Sequence, residues 1–337
     1  LAEKLVDINP WSHMVKFARS GGEANAIAIR IARGASGKDN VAICGYHGWH
    51  DWYLSANLSS QSNLNDHLLP GLETNGVPKN LKNTSFPFEY NNYEYLEKLV
   101  NERDIGCIKM EVVRNIEPKN NFLQKVRDLA TRKGIVLIFD ECTSGFRETF
   151  GGIYKKYNVE PDMAMFGKAL GNGYAITAVV GKMEVMEAAQ SSFLSSTFWT
   201  ERIGPSAALK TLEIMEKTKS WNKISQIGRE IKKKWALISE ENNLEVEISG
   251  ISALPSFSFK SLNNLKYKTF ITQEMLKKGF LAANSVYVCV EHDKKTIDQY
   301  IFELSKIFKK IKEFEDGKEI NDYLEGPVCH SGFSRLN

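Results

Sequence analysis

Short apolar runs alternate with stretches of helical periodicity along the first two thirds of the chain. Short apolar runs are typical of buried strands, and apolar residues at helical spacing are typical of amphipathic helices. This pattern predicts strands at residues 14–18, 41–44, 107–113, 135–140, 163–167 and 176–180. It predicts helices at residues 20–34, 93–103 and 122–133, preceded by the end of a helix at 1–9. Strands that alternate with helices predict an α/β domain built on a mostly parallel sheet.

The last third of the chain has a different organisation. Two helices, at residues 201–217 and 221–241, lead into a region of mixed strands and helices. The elements predicted there are strands at 246–249, 254–260 and 286–290 and helices at 269–278 and 294–314. We therefore predict a large α/β domain at residues 1–217 and a small C-terminal α+β domain at residues 218–337.

Turn-forming residues punctuate the predicted large domain. Ser20 is the expected N-cap of the helix that begins at Gly21, and Gly34 is its expected stop. Residues 45–88 are rich in Gly, Pro, Asn and Ser, which predicts a long loop. A loop of that length inside a compact domain is usually functional.

Composition and charge narrow the function classes. The chain has 337 residues, 42% of them hydrophobic and 25% charged, which is ordinary for a globular enzyme. The formal net charge of +3 is small and dispersed, so we expect no nucleic-acid partner. No apolar run is long enough to span a membrane and no signal peptide is visible, so we expect no membrane association. The chain begins inside a helical pattern without Met, and we expect that an N-terminal segment is missing.

Cysteines and histidines bear on the compartment and on metal chemistry. The five cysteines lack CxxC spacing, and Cys44, Cys107 and Cys289 lie in apolar runs. This usage predicts buried thiols in a reducing cytoplasm. His47 and His50 are three positions apart but have no partner ligands in their segment, so we expect no metal site.

Two residues at the ends of predicted strands carry the main candidate chemistry. Asp140 ends one apolar run, and Lys168 follows the next one, 28 positions later. In an open parallel sheet the carboxyl ends of the strands line one crevice, where ligands bind. An amine there can form a Schiff base with a carbonyl, and a carboxylate there can keep a pyridine nitrogen protonated. The pair suggests pyridoxal 5'-phosphate (PLP), although a solvated lysine and an N-capping aspartate are the plainer alternative.

Three further segments could complete such a site. Ser20-Gly21-Gly22 opens a helix and can cradle a phosphate with backbone N–H groups, or can serve only as a cap. The aromatic run that begins Gly45-Tyr46-His47 can offer a face for a flat ring, or can form a satellite core. Residues 197–202 offer hydroxyls and a guanidinium for a phosphate or a carboxylate, or only an N-cap at Thr200.

With these residues in place, the chain resembles the class III (subgroup II) PLP-dependent aminotransferases, in particular the branch of the glutamate-1-semialdehyde 2,1-aminomutases. The resemblance runs over residues 1–335. The motifs that carry it are Ser20-Gly-Gly-Glu-Ala24, Gly45-Tyr-His-Gly48, Asp140-Glu-Cys-Thr-Ser-Gly-Phe-Arg147 and Phe166-Gly-Lys168-Ala-Leu-Gly171. It implies PLP-dependent transferase fold type I, the aspartate aminotransferase-like fold, in a homodimer with its active site at the interface.

The resemblance also implies roles for individual residues. Lys168 would form the Schiff base and move a proton between the substrate Cα and C4′ of the cofactor, while Asp140 would pair with the pyridine nitrogen. Tyr46 would stack on one face of the ring, and a threonine of the partner subunit would complete the phosphate site, with Thr197 and Thr200 both candidates. The residues that we place around the cofactor on this basis are Ser20, Gly21, Gly22, Tyr46, His47, Glu111, Asn115, Asp140, Cys142, Lys168, Thr197 and Thr200.

The chain departs from the family pattern at three places. Cys142 stands where an aliphatic residue usually packs on the second ring face, Val112 replaces a usual proline, and bulky residues at 198–204 replace a usual run of small ones. The thiol of Cys142 can still pack on the ring face as a small hydrophobic group, so we expect this departure to tune the site.

Three functions remain open at this point. The leading one is transfer of an amino group from a primary amine donor, such as glutamate, to a small aldehyde or ketone. The second is the intramolecular transfer of an aminomutase, and the third is a non-catalytic PLP-fold binding protein, against which the presence of both Lys168 and Asp140 argues.

Overall fold

The computed structural model describes residues 1–67 and 69–332, and the side chains of Thr197 and Phe198 lie outside the described set. The chain divides into two compact units. The first is Leu1–Thr218 with Gly332, and the second is Lys219–Ser331. The domain boundary predicted from the sequence, after residue 217, falls one residue before this division.

A seven-stranded sheet forms the centre of the first unit. Its strands, in order across the sheet, are β1 (Met14–Ala18), β7 (Thr177–Gly181), β6 (Met163–Phe166), β5 (Val136–Glu141), β4 (Ile105–Glu111), β2 (Asn40–Cys44) and β3 (Ser85–Pro87). Strands β2 to β6 run parallel to their neighbours within that group, and β7 is antiparallel to both β6 and β1. The predicted mostly parallel sheet is confirmed, and the carboxyl ends of β4, β5 and β6 meet at one edge.

Helices cover this sheet. The helices of the first unit are α1 (Ala2–Ile8), α2 (Gly21–Ser36), α3 (Asp51–Leu54), α4 (Tyr93–Glu102), α5 (Phe122–Lys133), α6 (Met183–Met186), α7 (Ala188–Ser191) and α8 (Ile203–Thr218). Short 3-10 turns lie at Ser55–Leu58, Lys79–Leu81, Ile153–Tyr157, Lys168–Leu170 and Thr197–Thr200. Helix α2 buries Ile27 and Ile31 in a core with Val41 of β2, Ile138 of β5 and Met165 of β6.

Two sequence-based expectations about this unit were wrong. Helix α2 does not stop at Gly34 but continues to Ser36, because the left-handed φ of 68° that ends the helix belongs to Gly37. Residues 45–88 are not one structureless loop, since they contain α3, two 3-10 turns and the edge strand β3. Strand β3 forms because it adds to the free edge of β2, a tertiary partner that local composition does not reveal.

The second unit is a small α+β assembly. Strands β8 (Val246–Ser249) and β9 (Ser256–Phe259) pair antiparallel, and its helices are α9 (Ser220–Glu241), α10 (Asn264–Lys277) and α11 (Lys294–Glu315). A 3-10 turn lies at Asn321–Tyr323. Its core includes Trp235, Phe257 and Phe308, and the ring of Phe257 packs edge to face against each of the other two.

The strand predicted at residues 286–290 does not form in the second unit, Lys219–Ser331. The N–H groups of Val286 and Val288 donate to the carbonyls of Pro255 and Ala253, but only Ser285 forms a β-bridge. Pro255 has no N–H with which to return a bond, so the ladder does not continue. Cys289 follows in this irregular segment and is exposed, so its predicted burial was wrong, whereas Cys44 and Cys107 are buried.

Within residues 1–67 and 69–332, no helix combines the length and the apolar character that crossing a membrane requires.

Candidate active site

The carboxylate of Asp140 lies at the end of β5, buried at the edge where the parallel strands finish. Oδ2 is 2.9 Å from Nδ1 of His47 and 3.4 Å from Nζ of Lys109, and Oδ1 accepts the N–H of Cys142 at 3.1 Å. Three different elements therefore hold this carboxylate: the loop after β2, strand β4 and the turn after β5.

This environment keeps Asp140 ionised. Burial opposes the charged form, but the charge of Lys109 and the hydrogen bond from His47 outweigh it and hold the pKa of Asp140 below its usual range. Burial and the charge of Lys109 lower the pKa of His47 to about 4, so the imidazole is neutral and donates from Nδ1 to Asp140. Its buried Nε2 has no hydrogen-bond partner among the described residues.

Lys168 follows β6 and has a backbone conformation that few non-glycine residues adopt. It opens a 3-10 turn with a φ of 43°, and such strain in a non-glycine residue is typical of functional sites. Its Nζ donates to Oγ1 of Thr143 at 2.7 Å. The residue as a whole is exposed, but partial burial of its amine, followed by the charge of Arg114, lowers the pKa of Lys168. A larger fraction of the amine is therefore neutral than in a free lysine.

A second carboxylate lies beside this amine. Glu111, at the end of β4, pairs through Oε1 with Nη2 of Arg114 at 2.8 Å, and its Oε2 accepts the N–H of Tyr46 at 3.2 Å. Arg114 also donates to Oγ1 of Thr143 at 2.7 Å. Burial, opposed by the charge of Arg114, raises the pKa of Glu111 to about 7. A Cβ on Gly45 would lie 2.6 Å from Oε2, so only glycine admits this carboxylate.

The amino end of α2 lies under the loop that follows β2. Ser20 caps the helix by accepting the N–H of Glu23 at 3.3 Å, as its sequence position predicts. A Cβ on Gly22 would lie 2.6 Å from Cε1 of His50, and a Cβ on Gly48 would lie 3.3 Å from Cα of Gly22. The structure thus brings together the predicted phosphate cradle and the aromatic loop, and only glycine at position 22 permits their close approach.

The aromatic loop is partly core and partly exposed. Trp52 and Tyr53 are buried in the main hydrophobic cluster, which is the satellite-core alternative. Tyr46 is half-buried and lies perpendicular to Tyr53, with ring centroids 6.1 Å apart. Trp49 stacks on His50 at 4.5 Å and is 71% exposed.

The remaining predicted residues lie around this centre with fewer contacts. Asn115 is exposed and lines, with Glu111, a cavity of about 330 Å³. Cys142 is half-buried, and a Cβ on Gly167 would lie 3.4 Å from its Sγ. Thr200 is exposed in the 3-10 turn at Thr197–Thr200, and the side chain of Thr197 lies outside the described residues, so both remain candidates.

The residues present fit PLP. The amine of Lys168 suits its carbonyl, the ionised carboxylate of Asp140 suits its ring nitrogen, and the glycine-lined helix end suits its phosphate. Gly21 leaves open space for a close ligand, because a Cβ there would meet nothing within 4 Å, whereas the ring of His50 fills the place of a side chain at Gly22.

Three residues of this site were missed or left without a role by sequence reasoning: Lys109, Arg114 and Thr143. Thr143 lies inside the motif at residues 140–147 and Arg114 lies between Glu111 and Asn115, but sequence spacing does not show that the hydroxyl of Thr143 accepts hydrogen bonds from both Lys168 and Arg114. Lys109 had a visible signal, since it is a charge inside an otherwise apolar strand pattern, and such a residue is rarely buried without a partner.

Comparisons with known proteins agree with this geometry. A family model described as "Aminotransferase class-III" matches residues 1–308. The chain is 34% identical over 306 residues to a 3-aminobutyryl-CoA aminotransferase of Cloacimonas acidaminovorans, covering 87% of this chain and 70% of that protein. It is 31% identical over 338 residues to a glutamate-1-semialdehyde 2,1-aminomutase of Methanosphaera stadtmanae, covering 92% and 78%.

The fold has a solved counterpart in the PLP internal aldimine form of the FumI protein of Sphingopyxis sp. MTA144. That structure superposes with a TM-score of 0.83 at 19% identity, covering 96% of this chain and 77% of the other. The chain therefore belongs to the class-III aminotransferase family, with fold type I and PLP as its cofactor.

Proposed function

We propose that this enzyme transfers an amino group between two molecules, from a primary amine donor such as glutamate to a small aldehyde or ketone. The observation that carries the proposal is the amine of Lys168, held 2.7 Å from the hydroxyl of Thr143 with its pKa lowered, near the ionised Asp140. A lowered pKa increases the neutral fraction of the amine, and the neutral form is the one that can attack a carbonyl and accept a proton.

We assign the cofactor contacts to residues whose positions support them. Asp140 binds the ring nitrogen, the N–H groups of Gly21 and Gly22 bind the phosphate, and Lys168 attaches covalently. The side chains assigned to the ring faces and ring substituents are Tyr46, Cys142, His47, Glu111 and Asn115. When bound, PLP supplies an electron sink for negative charge at the substrate α-carbon.

Proton transfer falls to Lys168. Its amine would take the proton from the substrate α-carbon and would return it at C4′ of the cofactor. Arg114 and Thr143 position that amine, because the hydroxyl of Thr143 accepts from both cations. The charge of Arg114 also favours the neutral amine, which is the form that acts as the base.

The assembly and compartment belong to the same proposal. We place the enzyme in a homodimer in which Thr197 or Thr200 of the second copy completes the phosphate site, and we take the two compact units as its large and small domains. The five cysteines are free thiols, which supports a reducing cytoplasm.

The aminomutase is the second candidate, and the 31% identity to a glutamate-1-semialdehyde 2,1-aminomutase favours it. The segment after residue 196 favours a substrate other than glutamate-1-semialdehyde. Trp199 holds this segment against β1, because its Nε1 donates to the carbonyl of Phe17 at 2.7 Å. Supplying 15N-labelled glutamate separates the two functions. Label appears in the aminated product of a transferase and is absent from the product of an aminomutase.

A visible absorbance spectrum of the PLP-loaded protein, before and after addition of L-glutamate, tests the proposed function. We expect a yellow band that glutamate removes, with release of 2-oxoglutarate. A band that resists glutamate but changes with 4,5-diaminovalerate indicates the aminomutase. Absence of any band in protein that has been incubated with PLP contradicts the assignment of Lys168.

Substitution of Lys168 by alanine provides the first prediction. We expect Lys168→Ala to lose covalently held PLP after denaturation and to lose amino transfer by at least about a thousandfold, because both the attachment and the proton carrier are removed. Covalently held PLP is measured by absorbance after the Schiff base has been reduced with borohydride and the protein has been gel-filtered in denaturant. Lys156→Ala, which removes an exposed lysine paired with Glu148, is the control and should retain both properties.

A further inference from the structure

A lysine without a role in the proposed chemistry lies inside the sheet beside the site. Lys109, in β4, is fully buried, and lysine is almost never fully buried unless it is paired. Strand pairing sets it opposite Ile138 of β5, two residues before Asp140, so Lys109 and Asp140 share one face of the sheet. The long side chain spans the offset, and its Nζ lies 3.4 Å from Oδ2 of Asp140.

The ion pair with Asp140 is the one charge pair of Lys109 among residues 1–67 and 69–332. Its Nζ also donates to the sulfur of Met165 at 2.9 Å, which is a weak acceptor. A buried ammonium with so little other stabilisation depends on its carboxylate, and removal of either partner leaves an uncompensated charge. The ion pair of Lys109 and Asp140 therefore forms in the apoprotein, before any ligand binds.

The same carboxylate is the one assigned to the ring nitrogen of PLP. A cation beside Asp140 acts on any proton shared between that carboxylate and the ring nitrogen, and it weakens the binding of that proton. It disfavours the proton most strongly on Asp140, because Lys109 contacts the carboxylate directly. A bound proton is thus directed to the ring nitrogen, but it is lost at a lower pH than beside an unpaired aspartate.

We propose that Lys109 is a positioning residue for the cofactor, which fixes the ionised carboxylate of Asp140 before PLP binds and lowers the pH at which the ring nitrogen loses its proton. The inference rests on the proposed PLP site. Lys109 would thus limit how strongly the protonated ring, which Asp140 supports, withdraws electrons. The charged and titratable groups that face Asp140 from the surrounding elements are Lys109, His47, Cys142, Lys168 and Glu111.

The test compares ring protonation in the wild type and in Lys109→Met, which keeps the length of the side chain and removes the charge. Each protein is loaded with PLP labelled with 15N in the ring, and the 15N chemical shift is followed against pH. We expect the midpoint for loss of the ring proton to rise by about one pH unit or more in Lys109→Met. Equal midpoints in the two proteins overturn the inference.

Two further variants control for charge and folding. Lys182→Met removes a lysine from another buried aspartate of the first unit, Asp162, with which it pairs at 2.9 Å, and should leave the midpoint unchanged. Lys109→Gln is the second neutral variant, to be used if Lys109→Met does not fold, with the same expected rise. A rise in Lys182→Met equal to that at position 109 overturns the inference, because it would reflect net charge alone.

A measurement without cofactor separates this inference from the proposed function. In wild-type apoprotein, NMR titration of His47 should give a pKa near 4, since burial and the charge of Lys109 both oppose its protonation. Lys109→Met should raise that value. A wild-type His47 that titrates at its ordinary value overturns the inference at Lys109. Failure of the labelled PLP to bind, with His47 as expected, instead removes the proposed function.

Discussion

At the scale of single residues, burial decides which charges the first unit keeps. Asp140 remains ionised because Lys109 and His47 compensate its burial. Glu141, the next residue, points away from those partners and accepts hydrogen bonds from the hydroxyl of Ser144 and the N–H of Tyr154, which only partly offset its burial. Burial therefore raises the pKa of Glu141 to about 7. Near neutral pH, Asp140 is thus ionised, whereas the neighbouring Glu141 of the same strand is only partly ionised.

Glu141 makes the stability of the fold pH-dependent. Its pKa is raised from 4.5 in the unfolded chain to about 7 in the fold, so the folded state binds the extra proton between those values. Relative to Glu141→Gln, we expect the wild type to lose about 3 kcal/mol of unfolding free energy as the pH rises through that window. Denaturant titrations at a series of pH values measure the difference. A difference that stays constant with pH contradicts the prediction.

At the scale of elements, the site depends on how closely the loop after β2 approaches α2. Gly45, with a φ of 111°, lets the carboxylate of Glu111 reach the loop, and Gly22 lets the ring of His50 lie over the helix end. The helix end offers N–H groups and a partial positive charge to a phosphate. The cradle is therefore a joint product of a helix and a loop, and neither forms it alone.

Gly22→Ala tests whether the phosphate cradle depends on the close approach of the loop to the helix end. The added Cβ would meet Cε1 and Nδ1 of His50 at 2.6 and 2.7 Å, so the imidazole and its loop must shift. We expect PLP to bind about tenfold more weakly, which corresponds to about 1.4 kcal/mol of overpacking, as measured by fluorescence titration. Gly34→Ala in the same helix is the control, since its Cβ would make an ordinary contact at 3.4 Å. Equal weakening in both variants would indicate a general effect on the helix.

At the scale of the whole molecule, the first unit exposes large apolar side chains that a single copy leaves in water. They include Trp49, Tyr174, Phe193 and Ile203, each more than half exposed. Exposed apolar groups of this size are typical of protein interfaces. They support the proposed homodimer, in which the segment with Thr197 and Thr200 reaches the second copy.

Phe193→Asp provides the prediction at this scale. Phe193 is 88% exposed, and a buried charge at the proposed interface would oppose association. We expect the wild type to sediment as a dimer, and the variant to shift towards the monomer and retain less PLP. Leu262→Asp, at a fully exposed residue of the second unit, is the matched control and should remain dimeric. A monomeric wild type that retains PLP would remove the proposed dimer.

Local features were predictable from the sequence. The alternation of strands and helices, the N-cap at Ser20 and the motifs around Asp140 and Lys168 are properties of neighbouring positions, because helical and strand periods repeat over a few residues. The family, its fold and its cofactor followed from those motifs and are confirmed. The roles of the individual site residues stay predictions until the variants are measured.

Features that depend on distant partners were decided only by the tertiary structure. Strand register places Lys109 beside Asp140, and packing brings Thr143 between Lys168 and Arg114. The strand predicted at residues 286–290 does not form, and β3 forms without having been predicted. Both differences have the same cause, since each segment depends on the backbone hydrogen-bonding groups of its neighbour. The sequence by itself determined which groups could carry the chemistry. The fold determined their charge states, because burial and the nearest opposite charge set a pKa and neither can be read from neighbouring positions.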